Sequence, residues 1–295
     1  MTVRVGIIGA GAFGREHARA YARIPEARLV SVTDADPQRA RDLAREFGIT
    51  HESEPDAVSL VVPAASRGTL VSDLLDRRTA LLIEKPLAAS AAQAHDIARR
   101  AQGQPVMVGH VLRFAEPYLG LAQRAREWGR LAGGTLSRVR SAAHAVRHPH
   151  DDVIGLTMIH DLDAAAWLAD SAVVTVAADG ARGADGRWAV CEATLTTADG
   201  SRWFVDARWA GEDADQHDDA SVISDDGGTA SVTIGNADSQ VYADALDAEL
   251  AHFVTCARDG VPSPRLVLDD AARAVAVADS VRRSLDLQGA VIDVE

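Results

Sequence analysis

Lysine is almost absent from this chain: of 30 basic residues one, Lys85, is lysine and the others are arginine. Arginine holds charge and grips anions but keeps its proton at any usable pH, whereas a lysine shielded from water can give it up. Either Lys85 is kept for chemistry that arginine cannot do, or it is a residue that arginine could replace; composition leaves both readings open. Cysteine is scarce too, with only Cys191 and Cys256, which excludes a disulfide framework and fits a reduced, cytoplasmic setting. No apolar run has the length of a membrane span. The start of the chain lacks a signal peptide's basic residues and small-residue cleavage site. Basic residues fall short of acidic ones, 30 against 43, for a net charge of −13, which argues against nucleic-acid or anionic-membrane partners. What remains is a chain of 295 residues, 47% hydrophobic and 25% charged, as expected of a globular protein with two domains.

The most informative stretch is Val3 to Gly14, where an apolar run rich in Val and Ile meets glycines at Gly9, Gly11 and Gly14. A helix-like segment, Arg15 to Arg23, comes directly after. Strand, tight turn and helix N-terminus in that order hold a pyrophosphate. Gly9 permits the turn, Gly11 lets the backbone approach the phosphates, and Gly14 lets the helix pack on the strand; Ala10, Ala12 and Phe13 complete the loop. An acid about 20 residues on, Asp34, ends a second apolar run, Leu29 to Thr33. A carboxylate there accepts from a ribose 2′-hydroxyl and repels a 2′-phosphate, which favours NAD over NADP. The competing role for Asp34 or Asp36 is to cap the helix that Pro37 begins, and the two acids could divide the roles.

Helical periodicity continues from Pro37 to Phe47, and Gly48 closes that helix. Val58 to Val62, Ala80 to Glu84 and Val106 to Gly109 read as buried strands, separated by helices from Ser66 to about Arg77 and from Ser90 to Ala101. This alternation predicts a doubly wound parallel α/β sheet over residues 1–118. Gly9, Asp34, Pro63 and Glu84-Lys85-Pro86 all fall at the carboxyl ends of its strands, where such sheets bind ligands. From residue 119 the pattern changes to an α+β domain with a large open, mostly antiparallel sheet. A linking helix (Leu119 to Trp128), a strand (Thr135 to Val146) and a helix (Leu156 to Leu168) precede a run of strands: Val173 to Ala178, Trp188 to Thr196, Arg202 to Trp209, Ala220 to Ser224 and Thr229 to Ile234. Asp-Gly pairs beginning at Asp179, Asp185 and Asp199, and Asp226-Gly227-Gly228, mark the turns. Helices from Asp244 to Arg258 and Asp269 to Leu285, and a short Val291-Ile292 strand, close the chain. The acidic stretch Glu212 to Asp219 lacks the glycine and ligand spacing of a calcium loop and reads as solvated, so no metal is expected.

Two residues stand out for chemistry. Lys85 comes just after a buried strand and precedes Pro86, which biases its backbone away from helix. Beside a nicotinamide ring, such a lysine could hydrogen-bond a substrate hydroxyl, with Glu84 pairing with it or orienting it. His160, in Met-Ile-His-Asp-Leu-Asp, has Asp161 and Asp163 near enough to orient its ring, although a histidine on such a helix can equally be structural. Together they would form an acid–base pair contributed by the two domains across one cleft.

The glycine turn, Glu84-Lys85-Pro86, Gly109-His110-Val111-Leu112-Arg113-Phe114, Met158-Ile159-His160-Asp161 and Glu249-Leu250-Ala251-His252-Phe253 occur in the order of one family. The chain resembles the glucose-fructose oxidoreductase, inositol dehydrogenase and MocA family, most of all its sugar and nucleotide-sugar dehydrogenases. The resemblance implies a bound nicotinamide cofactor, a lysine near its ring, a histidine exchanging a proton with a sugar or polyol hydroxyl, and dimers or tetramers built through the second domain's sheet. It assigns Gly9 to Gly14, Asp34, Pro63, Glu84 and Lys85 to the cofactor. Lys85, Arg113, His148, Asp152, His160 and Asp161 are assigned to the substrate, with the loop Arg147 to Asp152 as a possible pocket lining or an exposed polar loop. Two positions depart from the pattern. Many relatives carry an aspartate where Leu156 stands, which leaves Asp152 or Asp161 as substitutes, and a histidine near Gly68 is missing. The expected activity is oxidation of a secondary hydroxyl, or reduction of the matching ketone, on a sugar or polyol. The alternatives are an NAD-retaining hydrolase or lyase working by transient oxidation, and a cofactor- or sugar-binding protein without turnover.

Overall fold

Five strands, with helices between them, build the first part of the chain: β1 (Val3–Ile8), α1 (Ala12–Tyr21), β2 (Ala27–Thr33), α2 (Pro37–Glu46), β3 (Ala57–Leu60), α3 (Gly68–Asp76), β4 (Ala80–Glu84), α4 (Ala91–Arg100) and β5 (Val106–Gly109). The computed structural model describes residues 2–50, 54–211, 214–235 and 238–295. All five strands pair in parallel, in the order β2-β1-β3-β4-β5. Every residue of β3, β4 and β5 is buried, as their continuous apolar runs require in a sheet covered on both faces. The chain leaves β1 toward β2 on one side and returns to β3 on the other, so the switch point lies between β1 and β3, where doubly wound sheets bind ligands. Asp36, with Pro37 next to it, caps α2 by accepting the Gln38 N–H at 2.9 Å. The helix expected from Ser66 begins at Gly68 instead, because Ala64–Ser66 closes a 3-10 turn of its own.

The later part contains α5 (Glu116–Trp128), β6 (Leu131–Ser141), α6 (Ala142–Arg147), a π-helical turn (Ile154–Met158), α7 (Ile159–Ala169), β7 (Val173–Arg182), β8 (Trp188–Thr197), β9 (Arg202–Ala210), β10 (His217–Ser224) and β11 (Thr229–Gly235). After them come α8 (Ser239–Asp259), α9 (Leu268–Asp286) and β12 (Ile292–Asp293). Seven strands form one sheet in the order β11-β10-β6-β9-β8-β7-β12, antiparallel except for the parallel β6–β9 pair. Val205, Ala207, Ala193 and Ala220 point to the face on which the helices lie, while Thr135, Thr194, Ser221 and Phe204 point to the other, with Phe204 45% exposed.

Four local expectations are corrected. The strand expected to reach Val146 stops at Ser141, whose hydroxyl caps α6 through the Ala143 N–H. Asp179-Gly180 is no turn but lies inside β7, where a Cβ on Gly180 would come within 2.4 Å of the Val190 carbonyl oxygen. Residues 154–158 take a π turn before the regular helix. The acidic stretch is not one solvated loop: Glu212 and Asp213 lie outside the described residues, and Asp218 is buried within β10.

Cα packing divides the chain into Met1–Phe114 with Ala243–Ala272, and Ala115–Tyr242 with Arg273–Glu295. The divisions after residues 242 and 272 fall inside α8 and α9. Among the described residues no helix is long and apolar enough to cross a membrane, and no group of three His, Cys, Asp or Glu side chains is placed to hold a metal ion.

Candidate functional site

In the first unit the glycine turn is shaped by close approaches that leave no room for side chains at Gly9 and Gly14. Gly9 has φ +109°, and a Cβ there would meet the Val61 carbonyl oxygen at 2.2 Å. A Cβ on Gly14 would come within 1.9 Å of the Gly9 carbonyl oxygen, so α1 lies directly against the turn. Gly11, at the N-cap of α1, has open space around its missing side chain and no side-chain cap. Unbonded N–H groups with positive dipole character at such a helix start favour an anion.

Asp34 faces this turn. Its Oδ2 accepts the Ala10 N–H at 2.7 Å and its Oδ1 accepts the Asp36 N–H at 2.8 Å. A carboxylate has about four lone-pair positions, so two stay available to a ribose hydroxyl. The helix cap falls to Asp36 and the turn to Asp34, which resolves the division left open by the sequence. Arg39, the nearest arginine in sequence, lies 3.5 Å from the Asp36 carboxylate.

The loops after β3 and β4 are tied together by Arg67, a residue that no sequence motif marks. Arg67 is buried, donates from Nε to the Val62 carbonyl at 2.8 Å, and donates from Nη1 to the Pro86 carbonyl. Pro63, between those anchors, is exposed, and the Lys85–Pro86 peptide is cis. Lys85 itself is half-buried. Glu84, expected at the cofactor, is 7% exposed and faces inward: Oε1 lies 3.1 Å from His17 Nε2 and Oε2 accepts the Lys85 backbone N–H at 3.2 Å. It therefore orients Lys85 through the backbone. His17 is absent from the motifs as well, though it carries a signal: it is a polar residue on the stripe of α1 that includes Tyr21. Arg113, expected at the substrate, is buried and donates to the Arg265 carbonyl and to Asp270 at 3.2 and 3.3 Å. It secures the segment entering α9.

In the second unit, His160 stands on the first turn of α7, half-buried, just after the π turn. A π turn is a local departure from regular helix that recurs at functional sites. The two acids expected beside the substrate are committed elsewhere. Asp161 is fully buried, and Arg138 donates to both its oxygens at 2.8 Å. Arg138 also reaches Asp218, which Arg140 and Tyr242 share. Burial would lower the Arg138 pKa, but Asp161 and Asp218 outweigh that and hold it well above its ordinary value. Asp152 is bound through both oxygens by Arg282, each at 2.8 Å, and accepts the Gly155 N–H at 2.8 Å. It therefore anchors the π turn. Leu156, on that turn, is buried. His148 is half-buried at the end of α6, 3.9 Å from Asp151, and the carbonyls of both residues accept from Arg187. Burial raises the Cys191 thiol to about 12, so it stays protonated.

Residues 3–110 match a family described as oxidoreductases with an NAD-binding Rossmann fold. Over 198 residues the chain is 33% identical to an inositol 2-dehydrogenase of Acidothermus cellulolyticus, covering 60% of this chain and 56% of that protein. A Burkholderia cenocepacia inositol 2-dehydrogenase is 32% identical over 57% of this chain and 55% of its own length. The chain thus spans about half the length of the curated relatives it matches. Among solved structures, scyllo-inositol dehydrogenase from Lactobacillus casei, with bound NAD(H) and scyllo-inositol, superposes with a TM-score of 0.88 at 18% identity, covering 100% of this chain and 99% of that one. At that identity the likeness is one of fold.

Proposed function

We propose that the chain, whose residues 3–110 match the oxidoreductase family with the NAD-binding Rossmann fold, moves hydride between NAD and a secondary hydroxyl, or the matching ketone, of a sugar or polyol. The observation that carries the reading is the start of α1: an uncapped helix N-terminus, open at Gly11, with the Asp34 carboxylate bonded to the same turn. In this reading the backbone of Gly9 to Gly14 holds the pyrophosphate and Asp34 accepts from the adenosine ribose. A 2′-phosphate would bring negative charge against Asp34, with Arg39, the nearest arginine in sequence, paired to Asp36, so NAD is the preferred form.

A bound nicotinamide supplies the hydride acceptor or donor. Lys85 donates a hydrogen bond to the reacting oxygen and stabilises its alkoxide character. His160 takes the hydroxyl proton during oxidation and returns it during reduction. Asp152 and Asp161 act at one remove, by holding the segment that carries His160, while Arg113 holds the segment entering α9. The uncovered face of the seven-stranded sheet, with Phe204 near its middle, supports the expectation that copies of the chain pair there.

The reading is tested with purified protein, NAD and a panel of polyols and sugars, monitored by absorbance of the reduced nicotinamide. Lys85→Ala is expected to lower turnover on the order of 100-fold while NAD affinity stays within about twofold. Undiminished turnover would remove Lys85 from the reaction. Leu156 favours one second reading, because a buried apolar side chain one helical turn before His160 supplies no third polar group. A protein that binds NAD and a polyol without reducing the cofactor would meet that reading.

A further inference from the structure

Beneath the loop that carries Lys85 runs a chain of buried polar groups to which the proposed chemistry gives no role. Tyr21 Oη lies 2.6 Å from Ser59 Oγ, which lies 3.3 Å from His17 Nδ1. The imidazole continues through Nε2 to Glu84 Oε1 at 3.1 Å, and Glu84 Oε2 accepts the Lys85 N–H at 3.2 Å. Tyr21, Ser59 and His17 are all buried. Burial pushes the Tyr21 phenol well above its ordinary range, so it remains a donor. With a neutral ring, one placement of protons satisfies every link: Tyr21 donates to Ser59, Ser59 to Nδ1, Nε2–H to Glu84 Oε1, and the Lys85 amide to Glu84 Oε2. Every donor then points toward one buried carboxylate.

We propose that His17, acting through Glu84, is a positioning residue for the single lysine. The carboxylate grips the N–H of Lys85 at one end of the Lys85-Pro86 segment, and Arg67 grips the Pro86 carbonyl at the other. An amide bonded to an ionised carboxylate is held roughly twice as strongly as one bonded to a neutral acceptor. Without the imidazole, Glu84 Oε1 must find another donor within a buried site, and the carboxylate turns away from the Lys85 amide. Displacing a reacting group by about 1 Å costs on the order of 100-fold in rate, so an anchor of this kind matters to turnover without touching substrate.

The composition of the chain makes the test direct. Because Lys85 is the only lysine, full-length protein grown on 15N-lysine gives a single lysine amide signal. His17→Phe is expected to move that signal and speed its hydrogen exchange by about tenfold or more. His17→Gln, whose amide N–H can reach the same carboxylate, should stay nearer the unmutated protein. Val71→Ala, a substitution in the core of α3 outside this chain of groups, reports the effect of lost stability alone. Should His17→Phe fail to fold, Ser59→Ala withdraws the hydroxyl that orients the ring and should act in the same direction by about threefold. An unmoved signal with unchanged exchange, or an equal response in Val71→Ala, overturns the proposal.

A kinetic arm rests on the reading of Lys85 as the group that polarises the reacting oxygen. His17→Phe should lower kcat by about 30-fold with NAD affinity within about twofold, yet add less than about twofold in a Lys85→Ala background. Equal losses in both backgrounds overturn the positioning role. Absence of turnover in the unmutated protein overturns the functional reading instead, and the amide measurement then decides the positioning role by itself.

Discussion

Asp34 serves two ends with one carboxylate. It accepts the Ala10 and Asp36 N–H groups, which fixes the turn, and in the proposed function its remaining lone pairs take a ribose hydroxyl. Asp34→Ala should therefore cost affinity twice over, through a loosened turn and a lost ribose contact, while removing the charge that opposes a 2′-phosphate. Calorimetric titration should find NAD bound about tenfold more weakly and the NAD-to-NADP preference relaxed. A preference that survives the substitution would place cofactor discrimination elsewhere. Aspartates at the ends of strands can be told apart in sequence only by their next neighbours. Pro37 marks where the helix begins, but only the Gln38 N–H on Asp36 and the Ala10 N–H on Asp34 assign the cap and the turn.

At the scale of the element, α1 is set against the sheet by the absence of a single methyl group. Gly14→Ala would drive a Cβ against the Gly9 carbonyl, which is backbone and cannot rotate away. The expected result is a loss of about 2 kcal/mol or more in thermal or urea unfolding, accompanied by weaker NAD binding, since the helix start and the turn move together. An unchanged melting curve would show that α1 tolerates a shift. Gly11→Ala meets no such obstacle, and its effect should fall on cofactor affinity with little change in stability. Alternating strands and helices, the glycine turn and most of the second sheet were legible from periodicity and turn residues, because those signals are local. Extra residues at the ends of β7 and α8, the π turn before α7 and the close-packed Gly180 were not, because each depends on neighbours far away in the chain.

For the molecule as a whole, stability toward acid is tied to the half-buried Asp152 carboxylate, which keeps its charge. Burial pushes the Asp152 carboxyl up, but Arg282, bonded to both oxygens, and the Gly155 N–H outweigh it and hold the group below its ordinary value. A depressed folded-state pKa adds stability that is fully present above the unfolded value, about 3.9, and is lost as the pH falls through the folded value. Urea midpoints measured from about pH 5 downward should therefore drop below about pH 4, and Asp152→Asn should be less stable at about pH 7 yet show a shallower acid limb. A limb of equal steepness in the variant would assign acid sensitivity to other groups. By itself the sequence determined a parallel sheet opened by a glycine turn, an acid at the end of its second strand, one lysine at a strand end and a second, mostly antiparallel sheet, since all of these depend on spacing along the chain. Tertiary structure alone decided that Asp152, Asp161 and Arg113 hold the fold while His17 and Arg67 stand behind Lys85. It also decided that Ala243–Ala272 packs with the first unit. The physical reason is common to these cases: an ion pair or buried hydrogen bond joins residues from distant parts of the chain, and its partner is chosen only when the backbone has brought the two within about 3 Å.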